Sequence, residues 1–261
     1  MANSSTEPLI LTAIPQIPLI QPGDNLGLII QQAINEADIK PLDGDIFVIA
    51  QKIVSKSEGR LVNLASVNPS YRAVELAGVT TKDPRLVELI LQESSEILRT
   101  RLGMIIVEHR LGFVCANAGI DHSNVKGKET NGEEWVLLLP KDPDDSASKI
   151  RQILEAAFKV RLGVMIIDSH GRAWRMGTTG VAIGLAGLPG LVDLRGISDL
   201  FGYVLQVTQV GVADELAAAA SLVMGQAAEA TPVVHVRGFP YPLRESHLTE
   251  LLRPREMDLF R

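Results

Sequence analysis

The sequence predicts an α+β fold of mixed sheets with flanking helices. Short apolar runs of strand length, Asp45–Ala50, Gly163–Asp168 and Pro232–Val236 among them, lie between longer segments with apolar residues at helical spacing. Those longer segments open on strong start signals, such as Asp83-Pro84 and Asp142-Pro143. Strands and helices do not alternate as a doubly wound parallel sheet requires. No repeat or low-complexity linker interrupts the chain, so residues 9–261 are expected to form one domain behind a disordered tail over 1–8.

Leu9–Ile14 reads as a first strand. Pro15, Pro18 and Pro22 then fix a loop, because each sets φ and removes a backbone donor. Asp24 is a plausible N-cap for a helix carrying Leu26, Ile29, Ile30, Ala33 and Ile34 on one face. The buried-type strand Asp45–Ala50 runs into the polar segment Gln51–Arg60. Asn68-Pro69-Ser70 opens a helix to about Ala77, and Asp83-Pro84 opens another with Leu86, Leu89, Ile90 and Ile97 at helical spacing. Met104–Val107 and Gly112–Asn117 read as a strand pair turning at His109-Arg110-Leu111. Trp135–Leu139 is a strand, and Asp142-Pro143 starts a helix to Phe158. Gly163–Asp168 is a strand ending on an acid. The glycines between Gly177 and Gly190 recur every three or four residues, a spacing that marks turns or close backbone packing. Val204–Val212 reads as a strand, Asp214-Glu215 begins an alanine-rich helix closed by Gly225, and Pro232–Val236 is the final strand.

Bulk properties exclude several classes. Hydrophobic residues make up 46% of the 261 positions and aromatics only 4%, so Val, Ile, Leu and Ala must fill the core. A formal charge of -6 argues against a nucleic-acid partner. The single cysteine, Cys115, leaves no intrachain disulfide. No apolar run reaches the roughly 18 residues that span a bilayer, so no membrane partner is expected. The polar start lacks the basic region of a secretory signal, and the expected compartment is cytoplasmic. Gly127-Lys128 is followed by Glu129, so there is no Walker A loop; Gly-x-Gly-x-x-Gly, a Cys/His zinc cluster and a Gly-x-Ser-x-Gly elbow are also missing.

The segments that could carry chemistry are Asn117-Ala-Gly-Ile-Asp121-His-Ser-Asn124 and Asp168-Ser-His-Gly-Arg172. Each follows a strand-like run and offers a carboxylate among small polar groups. Brought together, Asp121 and Asp168 would suit a hard divalent cation, with the Ser169 hydroxyl alongside; separately, each Asp suits a turn after a strand. Lys52 and Lys56 could neutralise phosphates or simply face solvent. Arg172 and Arg175 flank Trp174, a triplet able to grip an anionic, flat substrate or to lie on the surface. His122 and His170 each follow a lead Asp and could face the same site. Cys115 reads as a small core residue, and Asp214 and Glu215 as favourable partners of a helix dipole.

Taken together, these motifs resemble the coenzyme F420-0:L-glutamate ligases, or γ-glutamyl ligases. The resemblance rests on Gln51-Lys-Ile-Val-Ser-Lys56-Ser-Glu-Gly-Arg60, Asn117–Val125, Asp168–Arg172, Val212-Ala-Asp214-Glu215 and Thr231-Pro-Val-Val-His-Val-Arg237-Gly238. The early Ile17-Pro-Leu-Ile20 also fits, and the ordered set spans about residues 10–255. The resemblance implies an unusual α+β fold and an intertwined homodimer. It implies a GTP-dependent amide ligase in coenzyme F420 biosynthesis. GTP would phosphorylate the lactyl carboxylate of F420-0, the amine of L-glutamate would attack the acyl phosphate, and further γ-linked glutamates would follow. Some bacterial relatives fuse this module to a flavin-binding reductase domain; with the sequence ending at Arg261, ligation alone is the expectation.

Carried over by position, Asp121 and Asp168 match the family's metal ligands, with Mg²⁺ or Mn²⁺ expected and K⁺ as a further ion. Ser169 stands where relatives often have Thr. Lys56, Asp121 and Asp168 are the expected catalytic residues. Ile17, Pro18, Leu19, Ile20, Gln51, Lys52, Lys56 and Asn124 match nucleotide contacts, as does the segment holding Met224, Gly225, Gln226 and Glu229. Gln226 replaces a metal-binding Glu of archaeal relatives, so a second metal would rest on its amide oxygen or on Glu229. The alternatives kept open are a metal-dependent nucleotide hydrolase or phosphatase and a non-catalytic nucleotide-binding dimer.

Overall fold

The computed structural model describes residues 8–125 and 133–259. The expected tail, apart from Pro8, and the Gly127-Lys128-Glu129 segment lie outside the described residues.

In chain order the strands are β1 (Ile10–Ala13), β2 (Ile46–Ala50), β3 (Leu61–Asn63), β4 (Ser94–Arg101), β5 (Met104–His109), β6 (Val114–Ala116), β7 (Trp135–Leu137), β8 (Gly163–Gly171), β9 (Thr178–Ala186), β10 (Val192–Asp193), β11 (Gln209–Val210) and β12 (Val233–Arg237). The helices are α1 (Leu26–Glu36), α2 (Gln51–Ser57), α3 (Tyr71–Thr80), α4 (Pro84–Gln92), α5 (Pro143–Phe158) and α6 (Val212–Met224). The expected α+β class with mixed sheets and flanking helices is what these elements build.

The main sheet has the order β1-β12-β2-β8-β9. Only β2 and β8 run parallel; the other neighbours are antiparallel. This sheet is covered on both faces, and the alternation of β2 shows why its sequence is apolar throughout. Phe47 and Ile49 pack with α1 and α5, whereas Ile46 and Val48 pack with α6. A third core lies between α3, α4 and the β4-β5-β6 sheet. Phe113 packs against both the first and third cores, joining the two halves of the molecule.

Local chemistry explains the element starts. Ser70 caps α3 and Asp142 caps α5, as their sequence signals predict. At α1 the cap is Asn25, whose side chain accepts from Leu28 N, and not Asp24. The Asp24 carboxylate instead accepts from Gln21 N at 2.7 Å, closing the turn before the helix. The α4 helix stops at Gln92, so Ile97 lies on β4 and not on the helix. Glu93 is held there by Arg60 (2.8 Å) and Arg110 (3.3 Å), and the chain beyond it pairs with β5. A helical spacing of apolar residues could not register that long-range pairing.

Three further expectations change. The strand through Asp168 continues to Gly171, because residues 168–171 pair with residues 178–181 of β9. Only Gln209–Val210 of the expected Val204–Val212 strand is a strand, and Val212 already opens α6. Among the described residues the β10–β11 ribbon is two-stranded, and its loop exposes Leu200 (96%), Phe201 (96%) and Val207 (85%). The polar segment after β2 is mostly helix, α2. The glycine spacing between Gly177 and Gly190 is explained by close packing: β9 lies so near α6 and the start of α5 that Gly180 and Gly184 have no room for a Cβ.

Candidate active site

Two parallel strands deliver the first half of the site. Ala50 of β2 sits opposite Ile167 of β8, so the next residues, Gln51 and Asp168, emerge at the same carboxyl edge. Clefts at such edges are where open sheets bind ligands. The α2 helix starts immediately at Gln51, placing Lys52 and Lys56 one turn apart along it.

Asp121 arrives from the other half of the molecule. After β6 the chain turns through Asn117, Ala118 and Gly119, all with positive φ. The turn is pinned by Asn117 Oδ1, which accepts from Ile105 N at 3.1 Å. Asp121 then exchanges two backbone hydrogen bonds with Leu137, each 2.9 Å. Its carboxylate accepts from Gln51 Nε2 at 2.7 Å and lies 3.3 Å from Lys52 Nζ. Ser55 Oγ donates to Gln51 Oε1 at 2.9 Å, which turns the Gln51 amide hydrogens towards Asp121.

Asp168 accepts from His170 Nε2 at 3.0 Å. Ser169 Oγ donates to Gln226 Oε1 at 2.9 Å, and Gln226 Nε2 donates to Ser221 Oγ at 2.8 Å. The segment after α6 folds over the cleft: Asn124 Nδ2 donates to Ala227 O at 3.0 Å, and Thr231 Oγ1 to Met224 O at 2.9 Å. Gly225, with φ 72°, leaves no space for a Cβ beside Glu229. Glu229 closes its own turn, accepting from Ala227 N at 2.8 Å.

The result is one cleft of about 660 Å³. Ile17, Pro18, Leu19, Ile20, Gln51, Lys52, Lys56, Asp121, Asn124, Asp168, Ser169, Met224, Gly225, Gln226 and Glu229 all line it. Every residue carried over by position as catalytic, nucleotide-binding or metal-binding is thus brought to a single place. A larger groove between α1 and α5 contains none of them; we assign the site to the cleft because that is where opposed charges converge.

Burial and the nearby Asp168 charge push the Asp121 carboxyl up, against Lys52 and Gln51. Burial also works to raise Asp168, but the His170 hydrogen bond and charge prevail and hold it below the usual value. Burial and the neighbouring Lys52 lower Lys56. Two carboxylates that feel one another are the oxygen-donor arrangement a hard divalent ion takes when water and phosphate complete its shell.

Of the remaining candidates, His170 and Cys115 also line the cleft. His122 pairs with Glu134 at 3.4 Å and does not line the cleft. Trp174 sits 82% exposed at the β8–β9 turn, with Arg172 Nη1 reaching Gly177 O at 3.4 Å. Cys115 is a buried core residue, as its strand position suggests. Asp214 does more than match a helix dipole, for it accepts from Ala182 N at 2.9 Å and ties α6 to β9. Sequence reasoning missed Ser123, which accepts from Lys52 Nζ at 2.8 Å, and Ser221. Ser123 could have been found, since it stands between Asp121 and Asn124. Ser221 lies inside an alanine-rich helix and gives no signal.

The family model for F420-0:Gamma-glutamyl ligase matches residues 15–238. The chain belongs to that family. As a member of it, the chain is a ligase. It is 49% identical to the coenzyme F420:L-glutamate ligase of Methanothermobacter thermautotrophicus, over 96% of this chain and 98% of that protein. The enzyme of the same name from Methanocaldococcus jannaschii is 43% identical, over 94% of each chain. That from Methanopyrus kandleri is also 43% identical, over 95% of this chain and 97% of its own. The cleft lies within the matched residues.

Proposed function

We propose that this chain joins the lactyl carboxylate of coenzyme F420-0 to the amine of L-glutamate, using GTP, and then adds further γ-linked glutamates. The observation that carries the proposal is the delivery of Asp121 and Asp168, from opposite halves of the fold, into one cleft with Lys52 and Lys56. The names of the relatives supply the acceptor class and the amino acid.

A carboxylate is a poor electrophile, because its oxygen leaves badly. Transfer of the GTP γ-phosphoryl group breaks a P–O bond and turns that oxygen into part of an acyl phosphate. Attack by the glutamate amine then forms the C–N bond and expels phosphate, with GDP as the other product. Such a transfer asks the protein mainly for positioning and for neutralisation of phosphate charge. Lys52 and Lys56 present two ammonium groups along α2 for that purpose. Gln51 fixes the Asp121 carboxylate, and the 224–231 segment with Ile17–Ile20 forms the apolar and backbone wall suited to a nucleotide.

The donor chemistry fits Mg²⁺ or Mn²⁺. Asp121 and Asp168 would hold the ion, with the Ser169 hydroxyl and the Gln226 amide oxygen beside them. Among the described residues no group of three or more His, Cys, Asp or Glu gathers as a metal cage; two carboxylates suit an ion shared with substrate phosphates. Bound there, the ion would neutralise phosphate oxygens. K⁺ is a further candidate for the same anionic surroundings. The exposed apolar loop of the β10–β11 ribbon favours a homodimer, since a monomer seldom leaves such side chains together in water. A cytoplasmic location accords with a phosphoryl donor drawn from the nucleotide pool; among the described residues no helix is long and apolar enough to cross a membrane.

The test is phosphate release from GTP by purified protein. Release should require both F420-0 and L-glutamate, and mass spectrometry should show glutamylated products. Release without either substrate would identify a hydrolase, and no release a binding module.

A further inference from the structure

Three rings lead from the β5–β6 turn to Asp168. His109 stacks on Phe113, with centroids 5.1 Å apart and planes at 6°. Phe113 lies against His170 at 5.3 Å and 49°. His170 Nε2 is 3.0 Å from Asp168 Oδ2. Residues 168 and 170 are two apart on β8, so their side chains share one face of the strand and this contact follows from the strand period. A carboxylate oxygen only accepts, so Nε2 carries the hydrogen.

The far end of the ladder is fixed. His109 Nδ1 accepts from Leu111 N at 3.0 Å, while its backbone N–H donates to Phe113 O at 2.8 Å and its carbonyl accepts from Gly112 N at 2.7 Å. His109 is 1% exposed, and its Nε2 stands 3.8 Å from Glu93, which Arg60 and Arg110 hold in turn. Phe113 packs against two of the three cores at once. His170 therefore has a rigid ring on one side and the Asp168 carboxylate on the other.

We propose that His170 and Phe113 are positioning residues of the ion site. His170 takes up Oδ2 of Asp168 and so directs the remaining lone pairs into the cleft; Phe113 keeps the His170 ring from swinging away. The inference rests on the reading of Asp168 as an ion ligand. Groups that hydrogen-bond a ligating side chain commonly set metal affinity by about 10- to 100-fold.

The experiment titrates Mn²⁺ alone into nucleotide-free full-length protein, following the free ion by electron paramagnetic resonance. His170→Ala should weaken binding by roughly 10- to 100-fold. His170→Gln should recover most of the loss, because its amide can donate to the same oxygen. Phe113→Leu keeps apolar bulk but removes the ring face, and should weaken binding in the same direction by a smaller factor. Placed on His170→Ala, Phe113→Leu should add nothing, since its effect runs through a ring already gone. Circular dichroism confirms that each variant is folded. Wild-type affinity in His170→Ala, or independent additive losses, would overturn the proposal. Asp168→Asn separates the two levels. If Asp168→Asn loses Mn²⁺ while His170→Ala does not, the positioning role alone falls. If Asp168→Asn binds like wild type, the ion site itself has been misassigned.

Discussion

Gly180→Ala probes the contact that carries α6 and its trailing segment over the cleft. A Cβ at Gly180 would stand 2.5 Å from the Ala217 carbonyl oxygen and 2.7 Å from Ser221 Cβ. Both neighbours belong to the helix itself, so neither can turn away as a long side chain would. The helix or the strand must shift, and forced overpacking of this kind costs about 1–3 kcal/mol. For a chain near this size the thermal midpoint should fall by roughly 2–12 °C, at ~2–4 °C per kcal/mol. Ser221 holds the Gln226 amide at 2.8 Å and Gln226 meets Ser169 at 2.9 Å, so lifting α6 should also weaken nucleotide binding. Urea and thermal unfolding followed by circular dichroism measure the first effect, and calorimetric titration with GDP the second. Gly78→Ala is the control. It lies in α3 with nothing within 4 Å of an added Cβ, and removing a helical glycine there should gain about 0.5–1 kcal/mol. A Gly180→Ala protein as stable as wild type, beside a Gly78→Ala control that gains as expected, would refute the close approach of β9 and α6.

Lys56→Ala should weaken GTP binding by roughly 10- to 100-fold, the range of one charge-assisted contact of about 1.5–3 kcal/mol, with little change in fold; an unchanged dissociation constant would place Lys56 outside the nucleotide site. Asp45 is buried, which by itself would raise its carboxyl, but hydrogen bonds from His235 (2.8 Å) and Arg237 (2.7 Å) prevail and hold it at about 2, below the ordinary 3.8. Because the folded value is the lower one, its contribution of about 2 kcal/mol is complete above about pH 4 and is lost as pH falls towards 2. Urea midpoints from pH 5 to 2 should therefore drop less steeply in Asp45→Asn, and an identical slope would contradict that account. Burial and the Asp168 charge push the Cys115 thiol up to about 12, so a thiol reagent at pH 8 should label the protein only once urea unfolds it. Labelling of the native protein at the rate of a free thiol would show the site to be open.

The order of chemistry-bearing segments is written in the chain. Gln51–Arg60, Asn117–Asn124, Asp168–Arg172 and Met224–Thr231 could be recognised there because each keeps small, polar and charged residues at fixed local spacing. The starts of α3, α4 and α5 were equally legible, for a cap such as Ser70, Asp83 or Asp142 acts within three residues of itself. What lay beyond reach were decisions made by distant partners. Ile97 fits a helical stripe, yet pairing with Val107 draws it into a strand. The polar end of β8 looks like a turn until residues 178–181 pair with it.

The same division separates the ligands from their arrangement. That Asp121 and Asp168 are carboxylates, and that Lys52 and Lys56 stand four apart along the chain, is a matter of covalent sequence. That Gln51 reaches Asp121 across seventy residues of chain, with His170 bracing Asp168 from beside Phe113, required the folded molecule. Parallel pairing of β2 with β8 and the left-handed turn at 117–119 bring those groups to one cleft. Hydrogen bonds and packing act over a few ångströms of space, whereas sequence patterns report only neighbours along the chain.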